Sequence, residues 1–210
     1  MNRAAYALVL LALFGCDSGN RIVVGSKKPL RLVIVAVDLS GSTDLQPVLR
    51  KRVKEVCLAA DPNTDDLRLI KFVGTAEETF SGSVDDLRSF GRKLDEVSKI
   101  VPDQRTDYGA LAQLILQTVQ SSKCSEVMIF VIGDWANDFR WDAQKERQYR
   151  TTCEELAKDL RISAIRFWGV KGSSKGERIA PGGGSYAEIR DIYKPFGDRL
   201  QIRTSVQSIL

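Results

Sequence analysis

The sequence predicts an α/β domain built on a doubly wound, mostly parallel central sheet with helices on both faces. Two observations carry this expectation. The runs 32–37 (LVIVAV) and 127–132 (VMIFVI) are apolar at every position, as strands covered on both faces must be. Around them, segments with apolar residues at helical spacing alternate with further short strand-like runs. That order gives a parallel sheet with crossover helices.

The elements follow in turn. Residues 32–37 form the first strand. In 44–60, Val48, Leu49, Val53, Val56, Cys57 and Ala60 recur at helical spacing, and Pro47 is tolerated in a first turn. Asp61-Pro62-Asn63 ends that helix. Residues 67–73 read as a second strand and 77–80 as a short edge strand. Ser83 with Asp86 resembles a capping box, opening a helix with Val84, Leu87, Phe90, Leu94 and Val97 on one face. Residues 107–121 form another helix, with Leu111, Leu114, Ile115, Thr118 and Val119 along its stripe. After the strand 127–132, a helix over 143–160 carries Tyr149, Cys153, Leu156, Ala157 and Leu160. A strand at 162–170, a helix at 186–196 and a short strand at 200–203 complete the chain. Gly182-Gly183-Gly184 reads as a surface loop.

Composition narrows the chemistry. The chain has 210 residues, 43% of them hydrophobic and 28% charged, enough for one domain with appendages. A net charge of +4 is too small to indicate a nucleic-acid partner. There is no histidine, which removes Ser-His-Asp and Cys-His catalysis and every histidine-ligated zinc site. Four scattered cysteines make neither a disulfide scaffold nor a thiolate zinc site. Cys57 and Cys153 lie on apolar helix faces, so these two and Cys124 are expected to be non-catalytic.

The chain opens MNRAAYALVLLALFGC. Arg3 is a short positive region, and the apolar run 4–14 suits a signal peptide but is too short to span a bilayer. Leu13-Phe14-Gly15-Cys16 resembles a bacterial lipobox, with Phe14 where a small residue is usual. The resemblance implies cleavage after Gly15 and lipid attachment to Cys16. Residues 1–15 are then a lipoprotein signal peptide, 16–30 a lipidated cysteine and tether, and 31–210 the folded domain. Residues 18–28 are polar apart from Ile22-Val23-Val24. The resemblance also implies a place in the bacterial cell envelope, with Asp17 after the cysteine implying retention at the periplasmic face of the inner membrane. Arg50-Lys51-Arg52 with Lys54 reads as a solvated helix face that lies near anionic lipid if the anchor is in place.

Sheets of this kind bind ligands at the carboxyl ends of their strands, at a switch in strand order. Asp38-Leu39-Ser40-Gly41-Ser42-Thr43 follows the first buried strand. Gly133-Asp134-Trp135 follows the second. Arg105-Thr106-Asp107-Tyr108-Gly109 leads into the helix between them. These loops offer carboxylate and hydroxyl oxygens, a donor set that suits Mg²⁺, Mn²⁺ or Ca²⁺. Gly41 lets the spacing Asp38, Ser40, Ser42 curl around one ion.

Asp38-x-Ser40-x-Ser42, then Thr106, then Asp134, resembles the metal-ion-dependent adhesion site of von Willebrand factor type A domains, over residues 31–210. The resemblance implies a Rossmann-like sheet and a divalent ion, with Mg²⁺ foremost. Ser40, Ser42 and Thr106 would supply hydroxyls, and Asp38 and Asp134 would bind directly or through waters. One coordination position stays open for a Glu or Asp of a partner protein, so the implied role is recognition and not catalysis. Trp135 stands where the family often has glycine, and Arg105 and Asp107 replace glycines around the threonine. Trp135 and Trp141 would line the partner surface or pack under their own loop. Asp107, Asp138 and Asp142 would deepen the negative field or cap helices.

Two other readings stay open. Asp38 at a strand end would suit a phosphoryl-transfer enzyme. However, haloacid-dehalogenase phosphatases carry a second aspartate where this chain has Ser40, and the late lysine of response-regulator receivers is not placed. A structural lipoprotein with an empty site is the third.

Overall fold

The computed structural model describes residues 29–39, 51, 53, 55–56, 59–83, 106–133, 141–169 and 192–204. Six strands form one sheet: β1 (Arg31–Asp38), β2 (Asp65–Phe72), β3 (Ala76–Ser83), β4 (Glu126–Gly133), β5 (Ile162–Gly169) and β6 (Leu200–Thr204). Their order across the sheet is β3-β2-β1-β4-β5-β6. All pairings are parallel except the β2–β3 hairpin at the edge. The helices α1 (Tyr108–Ser121) and α2 (Ala143–Lys158) flank β4 in sequence, and Lys51, Val53, Glu55, Val56 and Ala59 are helical between β1 and β2.

The continuous apolar reading of β1 has its cause in two separate cores. Leu32, Ile34 and Ala36 face one core with α1, α2 and the segment around Tyr193 and Phe196. Val33, Val35 and Val37 face the other, with Val53, Val56 and Ala60. Chirality explains the division. The step from β1 to β2 runs one way across the sheet, and the steps β4 to β5 to β6 run the other. Right-handed crossovers therefore put their helices on opposite faces.

Aspartates set the helix starts. Asp107 accepts from Gly109 N and Ala110 N to cap α1, and Asp142 accepts from Gln144 N and Lys145 N to cap α2. Arginines close the helix ends. Arg161 donates to the carbonyls of Ser122 (2.8 Å) and Val119 (3.0 Å) at the end of α1. Arg199 donates to the carbonyls of Ala157 and Asp159 at the end of α2 and to that of Ile162 at the start of β5. Both meet the negative end of a helix dipole.

Several expectations shift. The helix stripe does not extend to Leu160, which is 90% exposed: α2 stops at Lys158, where the Asp159 N–H turns back to Leu156 O. Ser83 closes β3, and its hydroxyl donates to Pro62 O at 3.1 Å; the helix it is expected to open lies outside the described residues. Ile192 and Tyr193 are helical, but a 3₁₀ turn takes over at Lys194–Arg199, because Pro195 lacks the N–H that an α-helix ladder needs. The first part of the expected helix 44–60, the helix expected over 84–97, the loop Gly182-Gly183-Gly184 and residues 186–191 lie outside the described residues, as do the signal, residues 16–28 and Cys57. Cys124 and Cys153 are free and buried, and burial pushes the Cys153 thiol up to about 12. Among the described residues, no helix is long and apolar enough to cross a membrane.

Arg161 also grips Asp159, with Nη2 2.6 Å from Oδ2. That hydrogen bond holds the Asp159 carboxyl below its ordinary 3.8. A depressed folded pKa means that the carboxylate's contribution is present above the unfolded value and lost as pH falls through the folded one. Arg161→Ala should cost about 2 kcal/mol, since charged hydrogen bonds to two carbonyls and a carboxylate disappear. It should also flatten the loss of melting temperature below about pH 4, because Asp159 then titrates near its ordinary value. Denaturant titrations at neutral and acid pH check both effects.

Candidate metal centre at the switch point

β1 and β4 are neighbours in the sheet, yet the chain leaves β1 toward β2 and returns to β4 on the other side. Their carboxyl ends therefore diverge at one crevice. Asp38 is the last residue of β1 and is 0% exposed. Thr106, just ahead of α1, is also 0% exposed. The Thr106 hydroxyl lies 3.3 Å from Asp38 Oδ1 and 3.4 Å from Oδ2, donating to that carboxylate across 68 positions of sequence. Burying a carboxylate is costly unless dipoles or a cation compensate it.

Backbone bonds fix both residues. Leu39 N donates to Phe72 O at 3.2 Å, and Asp107 N donates to Val73 O at 2.9 Å. Thus the end of β2 holds the turn after Asp38 and the turn before α1 together. The ring of Tyr108 packs edge-on against Phe72, centroids 5.1 Å apart.

The end of β4 closes the crevice. A methyl group at Gly133 would lie 2.6 Å from Tyr108 Oη, 2.9 Å from Asp38 Cβ and 3.2 Å from Asp38 Oδ2. Only glycine lets the two strand ends approach so closely. Asp134 follows Gly133 in sequence. Ser40, Ser42, Asp134 and Trp135 themselves lie outside the described residues, as does Asp138. Of the five expected ligands, the structure thus brings Asp38 and Thr106 together. Among the described residues, no group of three or more Cys, Asp or Glu stands placed to hold a metal.

The other acids and aromatics resolve into structure. Asp142 is an exposed cap. Trp141 packs against the core, edge-on to Tyr149 with centroids 4.9 Å apart, and its indole N–H donates to Asp107 Oδ1 at 3.2 Å. The Tyr149 hydroxyl lies 3.3 Å from Asp107 Oδ2. Burial, and then the charge of Asp107, push the Tyr149 hydroxyl up to about 12, so it stays a donor at physiological pH. Sequence reasoning placed Tyr149 on an apolar stripe and Asp107 at a cap, and did not pair them. Their shared signal is a helix-capping aspartate with an aromatic on the following helix, too common to single out alone.

No family model matches this chain, and no curated protein matches it. Solved structures share its fold. The PilB minor pilin from Streptococcus sanguinis superposes with a TM-score of 0.58 at 14% identity, over 84% of this chain and 57% of the pilin. This chain thus spans little more than half of that protein. BatB, a conserved hypothetical protein from Bacteroides thetaiotaomicron, gives 0.57 at 18% identity, over 82% of this chain and 89% of the other. The SpRpn10 VWA domain gives 0.55 at 10% identity, over 82% and 86%. The fold is therefore that of von Willebrand factor type A domains.

Proposed function

We propose that this chain is a bacterial envelope lipoprotein whose type A-like domain binds a divalent metal and uses it to recognise an acidic group on a partner protein. The observation that supports this most is the buried Asp38–Thr106 pair at the switch point, with Gly133 pressed against Asp38. Asp38, Ser40, Ser42, Thr106 and Asp134 would hold Mg²⁺, or Mn²⁺ or Ca²⁺. The donors fit: all are oxygens, and three are neutral hydroxyls. A cation beside Asp38 would offset the cost of burying its charge.

Bound there, the ion would supply an electrophilic position for a partner's carboxylate. Thr106 holds Asp38 in place, Gly133 keeps the crevice narrow, and Trp135 would contact the partner beside the ion. The domain is read as a binding module and not an enzyme. Its fold likeness to a pilin and a VWA domain agrees with protein recognition. Cys16 would carry the lipid, holding the domain 31–210 at the membrane, on the periplasmic face of the inner membrane if Asp17 acts as a retention signal.

Calorimetry with Mg²⁺, Mn²⁺ and Ca²⁺ tests the metal, with and without an acidic peptide. Weak binding that tightens with the peptide, and is lost in Asp38→Ala while the melting transition remains, is the expected result. No binding in either condition would sink the reading. Labelled phosphate trapped on Asp38 would favour phosphoryl transfer instead. A fatty-acid probe should mark the wild type and not Cys16→Ala.

A further inference from the structure

The two faces of the sheet are covered unequally. α1, α2 and the segment around Tyr193 and Phe196 all pack on one face. On the other, Val53, Val56 and Ala60 pack against Val33, Val35 and Val37. Beside them, toward β5, the described residues leave a groove of about 250 Å³. Val33, Met128 and Phe130 line it from the sheet, with Glu55 and Ala59 on the helical side and Arg166 and Trp168 on the β5 side. Met128 and Trp168 are only half-buried, so apolar surface is left for a ligand's apolar part.

Arg166 is the exception on this face. Register sets Phe130, Arg166 and Gln201 side by side on β4, β5 and β6. Arg166 Nε donates to Gln201 Oε1 at 2.9 Å, and Arg166 Cζ lies 5.5 Å from the centre of the Phe130 ring. The guanidinium is thus held from two sides, and neither partner is an acid. Nη1 and Nη2 have no acceptor among the described residues. The groove's other arginine is closed, because Nε and Nη2 of Arg31 both donate to Asp65. Glu55 is exposed at the rim, where water and salt screen its charge.

We propose that this groove binds a small monocarboxylate with an aliphatic tail, the tail lying on Met128, Phe130 and Trp168 and the carboxylate meeting Nη1 and Nη2 of Arg166. A planar guanidinium with two parallel donors matches a carboxylate in shape and charge. An apolar lining with one placed polar group is the usual make-up of a small-ligand site. Displacing water at ~30 Å³ a molecule, the groove takes a ligand of roughly eight to ten non-hydrogen atoms. The site uses none of the expected metal ligands and does not rest on the metal reading.

Calorimetry of the full chain with octanoate and with 1-octanol reads the carboxylate and the tail separately. EDTA in every titration keeps the carboxylate from any bound cation. Octanoate should bind about tenfold more tightly than octanol, since charged hydrogen bonds add to the same apolar burial. Arg166→Gln should bring octanoate down to the octanol level and leave octanol unchanged. Arg166→Lys keeps the charge without the fork and should fall between. Ala59→Trp, at an exposed position on the helical side, should fill the groove and weaken both ligands while the melting temperature stays. Equal affinity for the two ligands, or full octanoate affinity in Arg166→Gln, would overturn the role of Arg166. No octanoate binding at millimolar concentration, or binding untouched by Ala59→Trp, would overturn the site. Dimers that Ala59→Trp disperses would give the groove to a second copy of the chain and overturn the small-ligand reading.

Discussion

Gly109→Ala should destabilise the domain by about 4 kcal/mol or more, enough to consume much of the stability of a domain this size. On propensity alone the change would help, because alanine in a helix is favoured over glycine by about 1 kcal/mol. Packing reverses the sign. An added Cβ would fall inside ring carbons Cδ2, Cε2 and Cζ of Tyr149. Tyr149 is buried and held on both sides, edge-on by Trp141 and through its hydroxyl by Asp107. Its ring cannot leave without opening the seam between α1 and α2. Urea titration of the single variant, and of Gly109→Ala combined with Tyr149→Ala, checks this. The pair should recover part of the loss, since the clash goes while a cavity remains. A single variant as stable as the wild type would mean that α1 and α2 do not meet in this way.

Gly133→Ala should weaken Mg²⁺ binding about 100-fold, at the upper end of effects transmitted to a metal through its ligands' supports, while costing about 1–3 kcal/mol of stability by overpacking. The methyl group would meet the Tyr108 hydroxyl and the Asp38 side chain together. Asp38 is the softer of the two, because Tyr108 is locked between Phe72 and the start of α1. The carboxylate should therefore yield, leaving the Thr106 hydroxyl. Adding Tyr108→Phe removes one of the two obstacles and should restore part of the affinity. Calorimetry beside denaturation reads both quantities. Full Mg²⁺ affinity in the single variant would show that the ion does not depend on where Asp38 stands.

How much was legible in the sequence depended on how many neighbours each residue answers to. β1 and β4 were readable because both of their faces are covered, leaving no polar position. β3 was read too short: Glu77, Glu78 and Ser81 look outward from an edge strand, so its ends carry no apolar signal. Leu160 kept the helical spacing one turn too far, because spacing alone does not show where Arg161 and the Asp159 turn stop α2. Within the candidate site, order and separation singled out Asp38 and Thr106, and the fold brings these two side chains together. Gly109 and Gly133 were not found, since a glycine's letter does not say what it lies against. The bonds of Asp107 to Trp141 and Tyr149 were hidden for a different reason: a capping aspartate looks the same with or without them until the second helix is in place.

β1 begins two residues after Pro29 and ends on Asp38, so one strand joins the segment before residue 31 to the crevice. Its eight residues set the two about 26 Å apart at ~3.3 Å per residue. All strands but β3 run the same way, so Pro29 and Leu30 lie at the pole opposite the crevice. A lipid at Cys16 would therefore attach on the side of the sheet away from the crevice. The tether 16–30, at full stretch, adds at most about 50 Å. If Cys16 carries a lipid, the crevice would stand at the free end of a leash and could sample partners several nanometres from the membrane.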